Sequence, residues 1–119
     1  TPRMFKKKVD RELRKYLLEP GKTYEPLAVC VSIRIKIEEN AYNYIDADAH
    51  KQEFLITHGT TEKLNYAHDQ GIVVPETYYL LGIIYNHPLH IAGDNDMSKQ
   101  LSMKLENETI KSMIRHLWE

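Results

Sequence analysis

Apolar residues recur along this chain at helical spacing. In the first segment Phe5, Val9, Leu13, Tyr16 and Leu17 fall at i, i+4, i+8, i+11 and i+12. That is one stripe of a helix over residues 2–18, with basic side chains around the other faces. Pro20-Gly21 ends it, because proline cannot continue a helix and glycine takes the left-handed cap conformation at little cost.

The next segment pulls in two directions. In VCVSIRIKI every odd position from Val29 to Ile37 is β-branched, which matches a strand template better than a helix. A strand needs a partner, however, and no other run in the chain alternates; a lone strand or minimal hairpin is marginal at best. Read as a helix opened by Pro26 in its first turn, the segment presents Leu27, Cys30, Val31 and Ile35 on one flank and Ile33, Ile37, Ala41 and Tyr44 on another. It runs without a break signal through IEENAYNYI. Residues 26–45 are therefore expected to be a central, largely buried helix.

Further helices follow from capping and breaking residues. One starts at Asp46 or Asp48 and carries Phe54, Leu55 and Ile56 inward. Another follows the break at Gly59, is capped by Thr60 or Thr61 and closes at Gly71. A third starts at Pro75 and ends by Pro88; its stretch Tyr78 to Tyr85 is apolar or aromatic on every side except at Gly82. This marks a core helix, with Gly82 as either a close helix contact or a plain weak spot. After the turn-rich IAGDND, capped by Asp94, Asn95 or Asp96, a long last helix carries the stripe Met97, Leu101, Leu105, Ile110, Met113, Ile114 and Leu117. The expected fold is all-α, a single compact bundle of five or six helices over residues 1–119. Leu117 and Trp118 lie just before the last residue of the sequence, Glu119, where a terminus normally frays. A large aromatic there either folds back on the core or meets a second copy, which makes Met113, Ile114, Leu117 and Trp118 the candidate two-fold homodimer interface.

Composition narrows the class. At 119 residues with 42% hydrophobic and 28% charged composition, the chain is large enough to close one core without staples. The one cysteine, Cys30, has no partner for a disulfide or a zinc site, which suits a reducing cytoplasm. No apolar run approaches the ~18 residues of a membrane span. Residues 1–22 hold eight basic against three acidic side chains, net +5, and the rest of the chain carries −6. Lys6, Lys7, Lys8, Arg11, Arg14 and Lys15 thus form a candidate nucleic-acid contact, the competing reading being the solvated face of a terminal helix. The chain opens at Thr1 directly into this charged pattern, as a piece of a longer protein does.

Candidate chemistry is sparse. A phosphate-binding loop needs clustered glycines, and none of the five here has another within ten residues. YNHPLHIAGDND places His87 and His90 three apart with Asp94 and Asp96 following, a possible zinc-ligand set. Pro88, however, breaks the helical face that would aim two histidines at one point, and the preferred reading is a polar loop after a core helix, with an Asp capping the next one. Asn86 and His90 match the polar-x3-His part of the pattern in HEPN-class helical ribonucleases, where arginine steadies phosphate charge and histidine moves protons. The motif arginine is missing, and Arg34 could supply it only through the fold. Tyr42, Tyr44, Tyr66, Tyr78, Tyr79 and Tyr85 could stack bases, or pack in the core with hydroxyls reaching outward.

Three stretches, RKYLLEPGKTYEPLAVCVSIRIKIEENAYNYI, KQEFLITHGTTEKLNYAHDQGIVVPETYYLLGIIYNHPLHI and KLENETIKSMI, resemble the helical C-terminal region of large bacterial AAA or ABC-type ATPases of the kind associated with DNA maintenance or phage defence. The resemblance implies a non-catalytic, all-helical accessory domain. Its partner would be the ATPase part of the same polypeptide, and ATP and magnesium would be bound there. No catalytic residue carries over to a position in this chain.

Overall fold

The structure, a computed structural model, describes residues 11–19, 21, 23–82 and 95–118, with the backbone alone for 95–98 and 118. These residues form seven helical segments and, among them, no strand. They are α1 (11–18), α2 (Pro26–Asn43), α3 (Asp48–Ile56), α4 (Thr60–Asp69), α5 (76–82), α6 (Asn95–Leu105) and α7 (Glu108–Trp118). None of the described helices is long and apolar enough to cross a membrane.

Helix α2 settles the ambiguity of the β-branched run. Pro26 fills its first turn and the Glu25 carboxylate accepts a hydrogen bond from Ala28 N–H at 2.8 Å, capping a donor that the helix itself leaves orphaned. Val29, Ile33, Ile37 and Ala41, spaced by four, are buried together with Cys30. Val31, expected on an apolar flank, is instead exposed, because a stripe of period 3.6 through Val29, Ile33 and Ile37 cannot also bury that alternate position; Tyr44, also expected on an apolar flank, is the C-cap beyond Asn43 and is exposed as well. Packed against α4, α6 and α7, α2 is the central helix. Its one buried hydroxyl, Ser32, donates to Ala28 O at 2.8 Å, and its Glu38 accepts from the buried Thr60 hydroxyl of α4 at 2.7 Å.

Further expectations are corrected. On α3 only Phe54 turns inward; Leu55 and Ile56 are 53% and 65% exposed, since three consecutive helical residues point about 100° apart and one narrow face is covered. Lys63 instead donates to the Phe54 and Leu55 carbonyls, at 3.2 and 3.1 Å, satisfying the C-terminal end of α3. The N-cap of α4 is Gly59, and no side chain caps it; Thr60 is already helical and spends its hydroxyl on Glu38. At the other end the expectation for Gly71 holds. With φ +76° it directs its N–H to His68 O while Ile72 N–H returns to Ala67 O, both at 2.9 Å, the paired closure glycine makes easy. Gly82 is buried, and among the described residues nothing lies within 4 Å of where its Cβ would be; residues 83–94, which follow it, lie outside the described residues.

The last correction raises the helix number above five or six. The expected long final helix is two, α6 and α7, parted at Glu106 and Asn107. Asn107 Oδ1 accepts from Thr109 N–H at 3.0 Å and Ile110 N–H at 3.1 Å, starting α7 afresh. The buried Tyr16 hydroxyl of α1 donates to Leu105 O, an end carbonyl of α6, and the Tyr24 hydroxyl donates to the Glu106 carboxylate. The two rings meet edge to face with centroids 5.0 Å apart. One continuous core then runs from Leu13 and Tyr16 through α2 to Leu101, Leu105, Ile114 and Leu117.

Candidate functional site

Helix spacing places Lys36, Asn40 and Asn43 on one face of α2, at i, i+4 and i+7, with its C-cap Tyr44 just beyond them. Against that face lie Tyr78 of α5 and His116 of α7, and together they line a polar cleft of about 340 Å³. Its floor is a small network. Asn40 Nδ2 donates to Leu117 O at 3.4 Å, and the Tyr78 hydroxyl is hydrogen-bonded with the Asn40 and Tyr44 side chains. Burial pushes the Tyr78 hydroxyl up, with the Asn40 hydrogen bond opposing it and Tyr44 adding to it; the phenol therefore stays a proton donor at neutral pH. The Tyr44 and Tyr78 rings meet edge to face at 6.5 Å. Tyr44 sits at the mouth, 49% exposed. Among the described lining residues there are two basic side chains and no carboxylate.

A second cleft, of about 260 Å³, opens at the α4–α5 connection between His68, Gly71, Ile72, Val73, Val74 and Tyr79. It is apolar apart from His68. Val73 is 84% exposed at its edge, and the Tyr79 hydroxyl is tied to Leu64 O at 3.1 Å.

The structure distributes the sequence candidates widely. Arg34, the arginine of the HEPN-like set, is an α2 side chain whose Nε lies 3.6 Å from Glu38 Oε1; Asn86 and His90 lie outside the described residues, as does His87 of the candidate metal pair. Among the described residues, no three His, Cys, Asp or Glu side chains converge on one point. Of the basic set, Lys6, Lys7 and Lys8 lie outside the described residues, Arg11 and Arg14 are exposed on α1, and Lys15 pairs with Glu12 at 3.3 Å. Of the candidate interface set, Ile114 and Leu117 are core residues, 0% and 3% exposed, and Met113 packs partly buried against them; the Trp118 side chain lies outside the described part. Tyr42, Tyr66 and Tyr79 pack against the core and Tyr78 is within it, while Tyr85 lies outside the described residues. Sequence reasoning missed Lys36, Asn40, Asn43 and His116. The i, i+4, i+7 spacing on α2 was a visible signal, but their meeting with Tyr78 and His116 is made by the fold.

No family model, no curated protein and no solved structure matches this chain.

Proposed function

We propose that these residues form a non-catalytic helical accessory domain that docks on the nucleotide-driven part of the same polypeptide, in the bacterial cytoplasm. The observation that carries this reading is the apolar cleft at the α4–α5 connection, where Val73 stands 84% exposed beside Ile72, Val74 and Tyr79. Exposed apolar surface on a domain whose core is already closed marks an interaction site. Leu55 and Ile56 add further exposed apolar surface at the end of α3. ATP and magnesium belong to the other part of the polypeptide in this reading, since the glycines here are too scattered for a phosphate loop; no residue of this chain is assigned to them.

The test is the complete open reading frame and its product. A phosphate loop encoded upstream of Thr1 is expected, and the upstream part is expected to co-purify with these 119 residues. Val73→Asp should weaken that association at least about tenfold, as loss of a central apolar contact does. A frame without a phosphate loop, or an association indifferent to Val73→Asp, overturns the reading.

A further inference from the structure

The apolar cleft at the α4–α5 connection is small, and its walls are fixed before anything enters it. Its volume, about 260 Å³, falls below the ~300 Å³ at which small-molecule pockets begin, and suits one bulky side chain. Gly71 and Ile72 N–H groups close on His68 O and Ala67 O, both at 2.9 Å, and Tyr78 N–H returns to Pro75 O at 3.0 Å. The Tyr79 hydroxyl is tied to Leu64 O. Little ordering remains to be done on binding. With Tyr79 so held, His68 is the one side chain among the described lining residues that offers a polar group.

The charge around the cleft has one sign. No lysine or arginine occurs between Lys63 and Lys99, so the stretch that builds the cleft brings only carboxylates to its rim. Asp69 lies beside His68, oxygen to ring nitrogen 3.8 Å. Burial raises the Tyr79 hydroxyl and the Asp69 charge adds to it, which sets that carboxylate within reach of the cleft wall. Glu76 stands exposed directly after Pro75. Residues 45–82 as a whole hold six carboxylates against two lysines. Both lysines are engaged elsewhere: Lys63 donates to the Phe54 and Leu55 carbonyls, and Lys51 sits over the Tyr42 ring at 5.2 Å. Such a rim repels phosphate, which disfavours nucleic acid and anionic lipid, and draws in cations. An apolar cleft with this rim is complementary to an apolar side chain carried between basic ones.

We propose that the occupant of this cleft is a basic peptide segment, which seats one bulky apolar side chain against Val73 and Tyr79 and sets lysines or arginines beside Asp69 and Glu76. The inference rests on the docking reading in taking that segment from the other part of the polypeptide. The test is a titration of the intact chain, followed by amide NMR shifts, with acetylated Lys-Lys-Leu-Leu-Lys-Lys and with its Glu-for-Lys and Ser-for-Leu counterparts. Shifts at Ile72, Val73 and Tyr79 are expected with the first peptide alone. Asp69→Asn combined with Glu76→Gln should weaken it roughly three- to tenfold at low salt, the effect of two exposed charge pairs, and hardly at all at about 1 M salt, where screening removes them. Val73→Ser should weaken it about tenfold at either salt. All three side chains are exposed, and circular dichroism checks that the variants fold. Equal shifts with the acidic peptide, shifts that survive loss of the leucines, or none with any peptide overturn the proposal. So does a mass that climbs with protein concentration and falls back in Val73→Ser, which gives the cleft to a second copy. The two readings fail separately. An upstream part whose association needs Val73 but ignores Asp69, Glu76 and salt overturns this inference and leaves the docking reading; a frame without a phosphate loop overturns the docking reading and leaves the peptide result.

Discussion

Cys30 shows how neighbours decide the chemistry of a side chain. It lies wholly inside the core, where burial, reinforced by the Glu25 carboxylate and opposed by Lys104, pushes its thiol up to about 12. Burial acts in the same direction on the Tyr16 and Tyr24 hydroxyls, with the neighbouring Tyr24 ring and the Glu106 hydrogen bond, respectively, adding to it. A group whose pKa is raised by folding keeps a proton that the unfolded chain has already released. Its stabilising contribution is therefore complete below the unfolded pKa and is lost as pH climbs towards the folded one. For Cys30 that window runs from 9.0 to about 12, and the tyrosines begin to lose their contribution above 10.0. The urea midpoint should accordingly decline as pH rises beyond about 9, and should decline less steeply in Cys30→Ala. A midpoint level across that range contradicts this account of the buried thiol.

At the scale of elements, what could be read from the sequence divides according to where the deciding contact lies. Helix α2 was legible despite its alternating β-branched run, because Pro26 and the absence of a second alternating run are local facts. The close of α4 at Gly71 was legible for the same reason. The split between α6 and α7 was not, because the apolar stripe continues across it. Nothing local showed that Tyr16 and Tyr24 would hold the turn at Glu106 and Asn107 from outside. The polar cleft divides in the same way: its α2 face is a spacing pattern, whereas Tyr78 and His116 reach it only through tertiary packing. If Asn107 starts α7 by accepting from Thr109 and Ile110, then Asn107→Ala should lower the unfolding free energy by about 1 kcal/mol. Asn107→Asp should retain most of it, since a carboxylate accepts the same two donors and favours the positive end of the helix. Urea denaturation of the three proteins measures both; equal loss in Ala and Asp variants removes the cap from the explanation.

For the molecule as a whole, the question posed by the carboxy-terminal helix is whether its apolar stripe serves the core or a second copy of the chain. The Cα radius of gyration is 14.5 Å, close to the ~13.5 Å expected of a compact domain of this length. All seven helices contribute to a single apolar cluster, α3 through Phe54 alone. Ile114 and Leu117 lie inside that cluster, and Leu117 O accepts from Asn40 of α2. A side chain so enclosed has no surface left to offer a partner. Leu117→Ala should therefore behave as a core truncation, lowering the unfolding free energy by roughly 2–4 kcal/mol as buried leucine deletions do. It should leave the mass measured by light scattering unchanged. An interface leucine would show the reverse, a change of mass with concentration and nearly unaltered stability of the separated chain. Measuring both quantities on the same variant distinguishes the two: a dimer lost on Leu117→Ala at wild-type stability would move this residue from the core to an interface.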